Sequence, residues 1–448
     1  MTKKIISFIL AFSMLLSLCA CESGSKNKEP IDAKAILTNP EADYSAAALE
    51  ALKSGEHRVD EYDLPALYKY FEGRCKIGVA FGANQAPDAE SVINNTLVDD
   101  AGVITAKGML KHYNMYTLGN EMKPAYINSA EGTFNFDDAD NFVAFGKAAK
   151  AELRGHTLLW HSQIPDWWFK ADASDTRTLQ ECDEAGALAS SEQLQDRITK
   201  YITEVVTRYK DDIKIWDVCN EVLNGESIRR KADDSYWADI IGDLDGNGFY
   251  DDYVEIAVNA ARAADEDAIL IINDFNMEWQ TSKTQAMYDM VERMLRKGVR
   301  IDGVGFQSHI SVDCNVGLYK QNIEKIAGLA AVYDECFPEH KGNFRIQITE
   351  LDMNMFVGAD ADGGFKKWSA EDFERQAAKY RELMDMFLEF VDDGYIDAIV
   401  FWGTDDENSW LNSTPKLRRN AALLVNRDSW TLKPAFYAVA ESSFGPAE

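Results

Sequence analysis

The sequence has few basic residues for the number of acidic ones. Lysine and arginine total 46 against 75 for aspartate and glutamate, which gives the 448-residue chain a formal net charge of −29 at pH 7. Nucleic acids and anionic membrane surfaces are bound through clusters of Lys and Arg. The charge therefore argues against both as direct partners and is compatible with a neutral substrate.

Cysteine pairs and common metal-binding motifs are also missing. The seven cysteines are an odd number without Cys-x-x-Cys spacing, which argues against a zinc knuckle or a disulfide-dense scaffold; one incidental disulfide remains open. Cys219 lies in an apolar strand pattern and is expected to be a small buried residue. His156 and His161 lie five residues apart on one predicted strand and would face opposite sides. Since no His-x-His or His-Glu-x-x-His pair occurs either, a metal-dependent hydrolase is disfavoured.

The first sixty residues look like an export signal followed by a tether. Two lysines precede an apolar run over residues 5–18, which is short for a membrane span and has the length of a secretory signal. The run continues into Leu-Cys-Ala-Cys, ending at Cys21, and resembles a bacterial lipoprotein signal. We expect a signal peptide over residues 1–21, lipidation of Cys21 and attachment at the cell surface, with ordinary secretion as the alternative. Residues 22–60 are rich in Ala, Ser and Glu and are predicted to form a flexible tether.

From residue 61 onward, apolar strands alternate with helical stretches. The predicted strands cover residues 76–82, 115–121, 153–161, 213–221, 268–276, 304–310, 344–352 and 396–404, and helical patterns cover residues 195–209, 253–265, 284–297, 319–334 and 370–391. Buried strands separated by helices indicate a parallel sheet covered on both faces, and eight such units close into a barrel. The predicted fold class is α/β, a single (β/α)8 TIM barrel domain over residues 61–446. A doubly wound sheet is the alternative, disfavoured because nearly every strand ends on polar residues.

One acidic loop, residues 243–252, is similar to the start of a calcium-binding loop. Ligand-type residues occupy its first, third and fifth positions, and a glycine occupies the sixth. Such a loop needs a bidentate acid at position twelve, where this chain has Val254, with Glu255 one residue late. We therefore expect a solvated turn and predict no metal site.

Two glutamates, Glu221 and Glu350, end apolar strand patterns. In a barrel of this kind the C-terminal ends of all strands face one mouth. A single glutamate at a strand end is usually a structural hydrogen-bonding partner. A pair across one mouth provides what glycosidic bond cleavage needs, namely an acid to protonate the leaving oxygen and a carboxylate to attack the anomeric carbon.

The motifs around these glutamates resemble glycoside hydrolase family 10, the endo-β-1,4-xylanases. The matching stretches run in order within residues 60–445: GHTLLWHSQIPDWW (155–168), WDVCNEVL (216–223), NDFN (273–276), VGFQSHI (304–310), ITELDM (348–353) and FWGTDDENSW (401–410). The resemblance implies a (β/α)8 barrel, a retaining mechanism, no cofactor, and xylan or xylo-oligosaccharides as substrate.

By position, the resemblance implies that Glu221 is the acid/base and Glu350 the nucleophile, with carboxyl groups about 5–5.5 Å apart. Asn220 would hydrogen-bond the sugar 2-hydroxyl, and His309, itself held by Asp352, would keep Glu350 ionised. Glu221 is expected to have a raised pKa. The family's sugar-binding positions are matched by Asn120, Lys123, His156, Trp160, Gln163, Asn276, Gln307, Trp402 and Trp410, with Asn273 expected beside Asn276 on the aglycone side and Phe275 where the family often has Tyr.

One departure from the family pattern falls at the second predicted strand. The family commonly has Glu-Asn-x-Met-Lys there, and this chain has Gly119 in place of the glutamate. That glutamate binds hydroxyls of the sugar one place beyond the cleavage site, so Gly119 implies either a weaker subsite or room for a decorated sugar. Glu121 is a poor substitute because the chain is expected to turn there.

Two other functions remain open at this point. A related barrel hydrolase could act on other β-1,4-glycans, which an assay on xylan against cellulose would distinguish. A non-catalytic surface lipoprotein that binds glycans is disfavoured, because both carboxylates and their expected partners are present.

Overall fold

The computed structural model describes residues 31–96, 100–358, 364, 366–412 and 419–445 and contains a closed parallel barrel. Its strands are β1 (Lys76–Phe81), β2 (Met115–Leu118), β3 (Glu152–Leu159), β4 (Ile215–Asn220), β5 (Ile269–Asp274), β6 (Gly303–Phe306), β7 (Arg345–Asn354) and β8 (Ile396–Phe401). Each strand pairs in parallel with the next, and β8 also pairs with β1, which closes the sheet. The predicted (β/α)8 barrel is confirmed.

Helices connect the strands and cover the barrel. They are α1 (Ala33–Leu37), α2 (Ala46–Leu52), α3 (Ala89–Ile93), α4 (Asp100–His112), α5 (Pro124–Ile127), α6 (Asp137–Ala148), α7 (Leu179–Glu184), α8 (Ser191–Tyr209), α9 (Trp237–Ile241), α10 (Asp252–Ala264), α11 (Thr281–Arg296), α12 (Val316–Ala327), α13 (Leu329–Cys336), α14 (Ala370–Asp392) and α15 (Pro434–Ser442). The two longest begin at capping boxes: Ser190 precedes α8 and Ser369 precedes α14, and each caps free N–H groups of the first turn. The helix predicted over residues 319–334 is two helices, α12 and α13, separated at Gly328.

Residues 32–60 differ from the predicted flexible tether. They contain α1 and α2, and Leu49 is buried. Lys34 donates a hydrogen bond to the carbonyl of Leu110 at the end of α4 (3.3 Å), and the N–H of Val59 donates to the carbonyl of Trp430 (2.8 Å). Helices this short are marginal in isolation, so contacts with the barrel domain stabilise them. The rest of the predicted tether, residues 22–30, lies outside the described residues.

The barrel interior holds a buried ion pair beneath the mouth. Arg154 on β3 forms a bidentate ion pair with Asp217 on β4, and both side chains are 0% exposed. Arg154 also donates to Gln347 on β7 (2.8 Å), and His156 Nδ1 lies 2.9 Å from the same Asp217 carboxylate. A buried charge pair is tolerated when its remaining polar atoms are also bonded. This network fixes the orientation of the His156 ring at the floor of the mouth.

The cysteines of the described residues are all unpaired: Cys75, Cys182, Cys219, Cys314 and Cys336. Cys219 is buried on β4, as predicted, and burial raises the pKa of its thiol. Cys21 and the predicted signal peptide lie outside the described residues. Within those residues, no helix combines the length and the apolar character that a membrane crossing requires.

Candidate active site

A cavity of about 970 Å³ opens at the C-terminal ends of the barrel strands. With the exception of Asn273, the side chains that the sequence predicted for catalysis, its support or sugar binding line it: Asn120, Lys123, His156, Trp160, Gln163, Asn220, Glu221, Asn276, Gln307, His309, Glu350, Asp352, Trp402 and Trp410. These residues come from widely separated parts of the chain. The closed barrel brings them together because all its strands end at the same mouth.

Glu350 lies at an irregularity of β7. The pairing of β7 with β8 shifts register between Ile348 and Leu351, and such irregularities re-aim side chains near active sites. The Glu350 carboxylate accepts hydrogen bonds from Asn273 Nδ2 (2.7 Å) and His309 Nε2 (3.2 Å). Burial alone would raise the pKa of Glu350, but the His309 hydrogen bond and neighbouring positive charge hold it below its usual value. Glu350 is therefore ionised at neutral pH.

His309 lies between two carboxylates. A short strand, His309–Ser311, pairs with the end of β7 and puts His309 beside Asp352, whose Oδ1 lies 3.0 Å from His309 Nδ1. The other Asp352 oxygen accepts a hydrogen bond from the Trp410 indole (2.7 Å). Burial would lower the pKa of His309, but Asp352 and Glu350 raise it well above its usual value. The imidazole is thus a cation facing Glu350.

Glu221 directly follows β4, and its pKa is shifted in the opposite direction from that of Glu350. Its φ angle of 55° is left-handed, and its N–H donates to the Asn273 carbonyl (2.8 Å). Burial raises the pKa of Glu221, and the hydrogen bond from Gln307 Nε2 (3.1 Å) offsets this only in part. His161 Nε2 lies 3.7 Å away, but burial lowers the pKa of this histidine to about 4, so it adds no positive charge at neutral pH.

A chain of three side-chain amides links the two glutamates. Gln307 Nε2 donates both to Glu221 and to Asn220 Oδ1 (3.1 Å), and Asn273 Nδ2 donates both to Asn220 Oδ1 (2.9 Å) and to Glu350. The Asn220 oxygen therefore accepts twice, which leaves the Asn220 N–H₂ group as a donor for a ligand in the cavity that this residue lines. This orientation suits the contact with a sugar hydroxyl that was predicted for it.

Polar and aromatic side chains alternate around the rest of the mouth. Lys123 Nζ donates to Asn120 Oδ1 (3.1 Å), as does Gln163 Nε2 (3.2 Å), and the Lys123 ammonium lies 4.6 Å from the centre of the Trp160 ring. Burial lowers the pKa of Lys123 to about 8. Trp402 contacts the His156 ring edge-on at 5.2 Å. Such an arrangement offers hydrogen-bond donors and flat apolar faces together, which a pyranose ring requires.

Gly119 leaves open space in the cavity wall. Strand β2 ends at Leu118, so Gly119 lies in the turn that follows it. A Cβ atom added there would meet nothing closer than the Phe81 carbonyl oxygen at 3.5 Å, an ordinary contact. Glu121 is not among the residues that line the cavity. The structure thus shows room at Gly119 that Glu121 does not fill.

Two residues near the site differ from the sequence interpretation. Asn273 was expected on the aglycone side, but it is fully buried and does not line the cavity. It is still part of β5, and its side chain hydrogen-bonds Asn220, Glu350 and Thr349 from neighbouring parts of the barrel interior. Trp279, which the sequence analysis passed over, lines the cavity and is 56% exposed. A tryptophan three residues after the NDFN motif was the available signal.

The acidic loop over residues 243–252 lies apart from the catalytic cavity. In the part of the chain that the structure describes, the one group with the geometry for a metal is Asp243, Asp245 and Asp252, outside this cavity. Lys297 contacts two of these acids, Asp245 at 2.7 Å and Asp252 at 3.9 Å. The Lys297 ammonium therefore balances part of the negative charge of the 243–252 loop.

Comparison with known proteins agrees with this geometry. Endo-1,4-beta-xylanase C of Paenibacillus barcinonensis is 40% identical over 341 residues, which are 75% of this chain and 29% of that relative; the chain thus spans less than a third of the relative's length. The solved structure of a GH10 protein from Paenibacillus barcinonensis superposes with a TM-score of 0.72 at 35% identity and covers 86% of this chain and 99% of its own. A xylanase of Thermoanaerobacterium saccharolyticum, solved in complex with xylotetraose, gives a TM-score of 0.67 at 36% identity over 85% of this chain and 99% of its own. The model of glycosyl hydrolase family 10 matches residues 80–442, and the chain belongs to this family.

Proposed function

We propose that the protein is an exported, lipid-anchored endo-1,4-β-xylanase that cleaves internal bonds of xylan with retention of configuration. The observation that carries the proposal is that two carboxyl groups line one cavity with different partners: Glu221 accepts a hydrogen bond from the Gln307 amide, whereas Glu350 accepts hydrogen bonds from Asn273 and His309. In agreement with these partners, the pKa of Glu221 is raised and that of Glu350 is lowered. A retaining glycosidase needs this pair, one protonated acid and one ionised nucleophile.

In the first step, Glu350 attacks the anomeric carbon while Glu221 protonates the departing glycosidic oxygen. His309, Asn273 and the Asn220–Gln307 amides hold both carboxyl groups during this step. The bond to the leaving sugar breaks, and a glycosyl ester forms on Glu350.

In the second step, water cleaves that ester. The negative charge of Glu350 contributes to the raised pKa of Glu221. Ester formation removes this charge, so the pKa of Glu221 falls and its carboxylate can accept the proton of the attacking water. The same residue thus serves as acid and then as base.

The substrate class rests on the relatives. Two of the three family members compared above are named xylanases, and one of these was solved in complex with xylotetraose. Export and lipid attachment rest on the N-terminal sequence ending at Cys21. Metabolic labelling with palmitate tests the anchor: the wild type is expected to carry label and Cys21→Ser to lack it.

The activity is tested by measuring reducing ends released from xylan and from cellulose, with the anomeric form of the first product followed by NMR. We expect β-configured products from xylan, and strongly reduced release by Glu350→Gln. Activity confined to cellulose would move the substrate assignment to another β-1,4-glycan. Initial α-configured products would contradict the assignment of Glu350 as nucleophile, and binding without cleavage would favour a glycan-binding function.

A further inference from the structure

The loop between β5 and α11 presents a tryptophan to the cavity that the catalytic steps above do not use. Trp279 is 56% exposed, whereas the two preceding residues, Met277 and Glu278, are 0% and 2% exposed. Of the large apolar side chains exposed in the described residues, Trp279 and Trp410 line the catalytic cavity. Trp410 is hydrogen-bonded next to the nucleophile, and Trp279 is left with an apolar face toward the cavity mouth. Aromatic side chains in the lining of a concave cavity, together with a few polar groups, are typical of ligand-binding sites.

The exposure of Trp279 does not come from a loosely packed loop. The Glu278 carboxylate accepts the N–H of Ser308 (2.6 Å), which ties the loop to the segment after β6. The Met277 carbonyl accepts hydrogen bonds from Thr284 on α11 (2.9 Å) and from Asn322 on α12 (2.8 Å). Buried hydrogen bonds at the two residues before Trp279 thus hold the loop that carries the exposed ring.

The ring itself is also oriented. The Trp279 indole N–H donates to Asn276 Oδ1 (3.2 Å), and Asn276 has a left-handed φ of 63° that closes the turn. This bond satisfies the one polar atom of the indole, so the aromatic faces remain for an apolar contact. Sugar rings offer such a contact through their axial C–H groups.

The position of the loop indicates which part of a substrate it meets. Strand β5 is the neighbour of β4, and the N–H of Glu221 donates to the carbonyl of Asn273 on β5. The loop after β5 therefore adjoins the residue that protonates the glycosidic oxygen. Sugars of the leaving group extend from that oxygen. Gly119 follows β2, and in the barrel order β2 and β3 lie on one side of β4 whereas β5 lies on the other, so Gly119 and Trp279 are on opposite sides of Glu221.

We propose that Trp279 is a binding platform for a xylose ring in the leaving-group half of the substrate. This inference rests on the proposed xylanase function and adds a subsite to it. Glu278 and Asn276 act as positioning residues for the platform.

The test compares two substrates that both place xylose rings on the glycone side and differ in the leaving group. Xylohexaose extends past the scissile bond along the Trp279 side, whereas β-xylobiosyl fluoride has a one-atom leaving group that cannot reach it. For Trp279→Ala we expect kcat/KM on xylohexaose to fall about tenfold, equivalent to about 1.4 kcal/mol, and kcat/KM on the fluoride to stay unchanged. Trp279→Phe keeps an aromatic face and should recover most of the loss. Tyr62→Ala, which removes a similarly exposed ring outside the cavity, should match the wild type on both substrates.

Cleavage positions in xylohexaose give a second readout. Loss of a leaving-group subsite should move the preferred cut toward the reducing end, since productive binding then depends on the glycone half. Equal losses on both substrates would indicate damage to the catalytic centre, and unchanged rates with an unchanged cleavage pattern would show that the ring binds nothing; either result overturns the platform. A wild type that cleaves neither substrate would instead refute the xylanase function itself, and the platform with it.

Discussion

Asn273 is expected to contribute to the ionisation of Glu350, the proposed nucleophile, from a buried position. Its Nδ2 lies 2.7 Å from Glu350 Oε1, and a hydrogen bond to a charged group contributes about 1.5–3 kcal/mol. Asn273→Leu keeps the shape of the side chain and removes the donor. Because about 1.36 kcal/mol corresponds to one pKa unit, the pKa of Glu350 should rise by about one to two units.

The pH dependence of kcat/KM measures this shift. The pKa of Glu350 is lowered in the native protein, so nucleophile activity is present above that pKa and is lost as pH falls through it. The acid limb of kcat/KM reports this ionisation in the free enzyme. In Asn273→Leu the acid limb should move up by about one to two units, and activity on the acidic side should fall by the corresponding factor of about 10–100.

Thr349→Val is the matched control. The Thr349 hydroxyl donates to Asn273 Oδ1 (2.6 Å) and does not contact the Glu350 carboxylate. Its removal should cost stability while leaving the acid limb nearly in place. An unmoved limb in Asn273→Leu, or equal movement in both variants, would refute the prediction that the Asn273 hydrogen bond lowers the pKa of Glu350 alongside His309.

Three further substitutions probe the packing and the site. In Gly305→Ala the new Cβ would lie 2.3 Å from Asn273 Oδ1, so we expect a loss of about 1–3 kcal/mol in unfolding free energy and an acid limb shifted in the same direction; a wild-type profile would contradict this. Lys433→Met leaves the buried Asp406 carboxylate without its cation (3.0 Å) and should cost about 3–5 kcal/mol in urea denaturation, with partial recovery when Asp406→Asn is added. Gly119→Glu should lower KM for linear xylotetraose by up to about tenfold through new hydrogen bonds and reduce activity on branched arabinoxylan; an unchanged ratio of the two activities would show that the space at Gly119 does not select substrates.

The barrel could be predicted from sequence because buried parallel strands form continuous apolar runs, such as residues 268–272, and such a run can be recognised without knowing which residues it contacts. The N-terminal helices α1 and α2 could not be predicted in this way. The segment containing α1 and α2 has a polar, alanine-rich composition typical of a linker, and contacts such as the Lys34 bond to α4, which join residues far apart in sequence, are what order it.

The proposed catalytic pair and the residues around it also differ in how far the sequence predicts them. The placement of Glu221 and Glu350 in one cavity could be predicted because each follows an apolar run and matches a motif. The burial of Asn273 could not, because the sequence does not fix where β5 ends. The strand ends at Asp274, so Asn273 still alternates inward with Ile271, whereas Asn276 lies past the strand and reaches the cavity.

The divergence of the two glutamate pKa values follows from which partners are charged. Both carboxyl groups are buried, and both accept an amide hydrogen bond, so neither burial nor the amide chain separates them. The difference is His309, which the Asp352 carboxylate keeps protonated and which faces Glu350. The histidine nearest Glu221 is neutral because burial, together with the charges of Arg229 and Lys283, lowers its pKa to about 4. The proposed assignment of acid and nucleophile to these two positions thus depends on Asp352, which contacts His309 and acts on Glu350 through that imidazole.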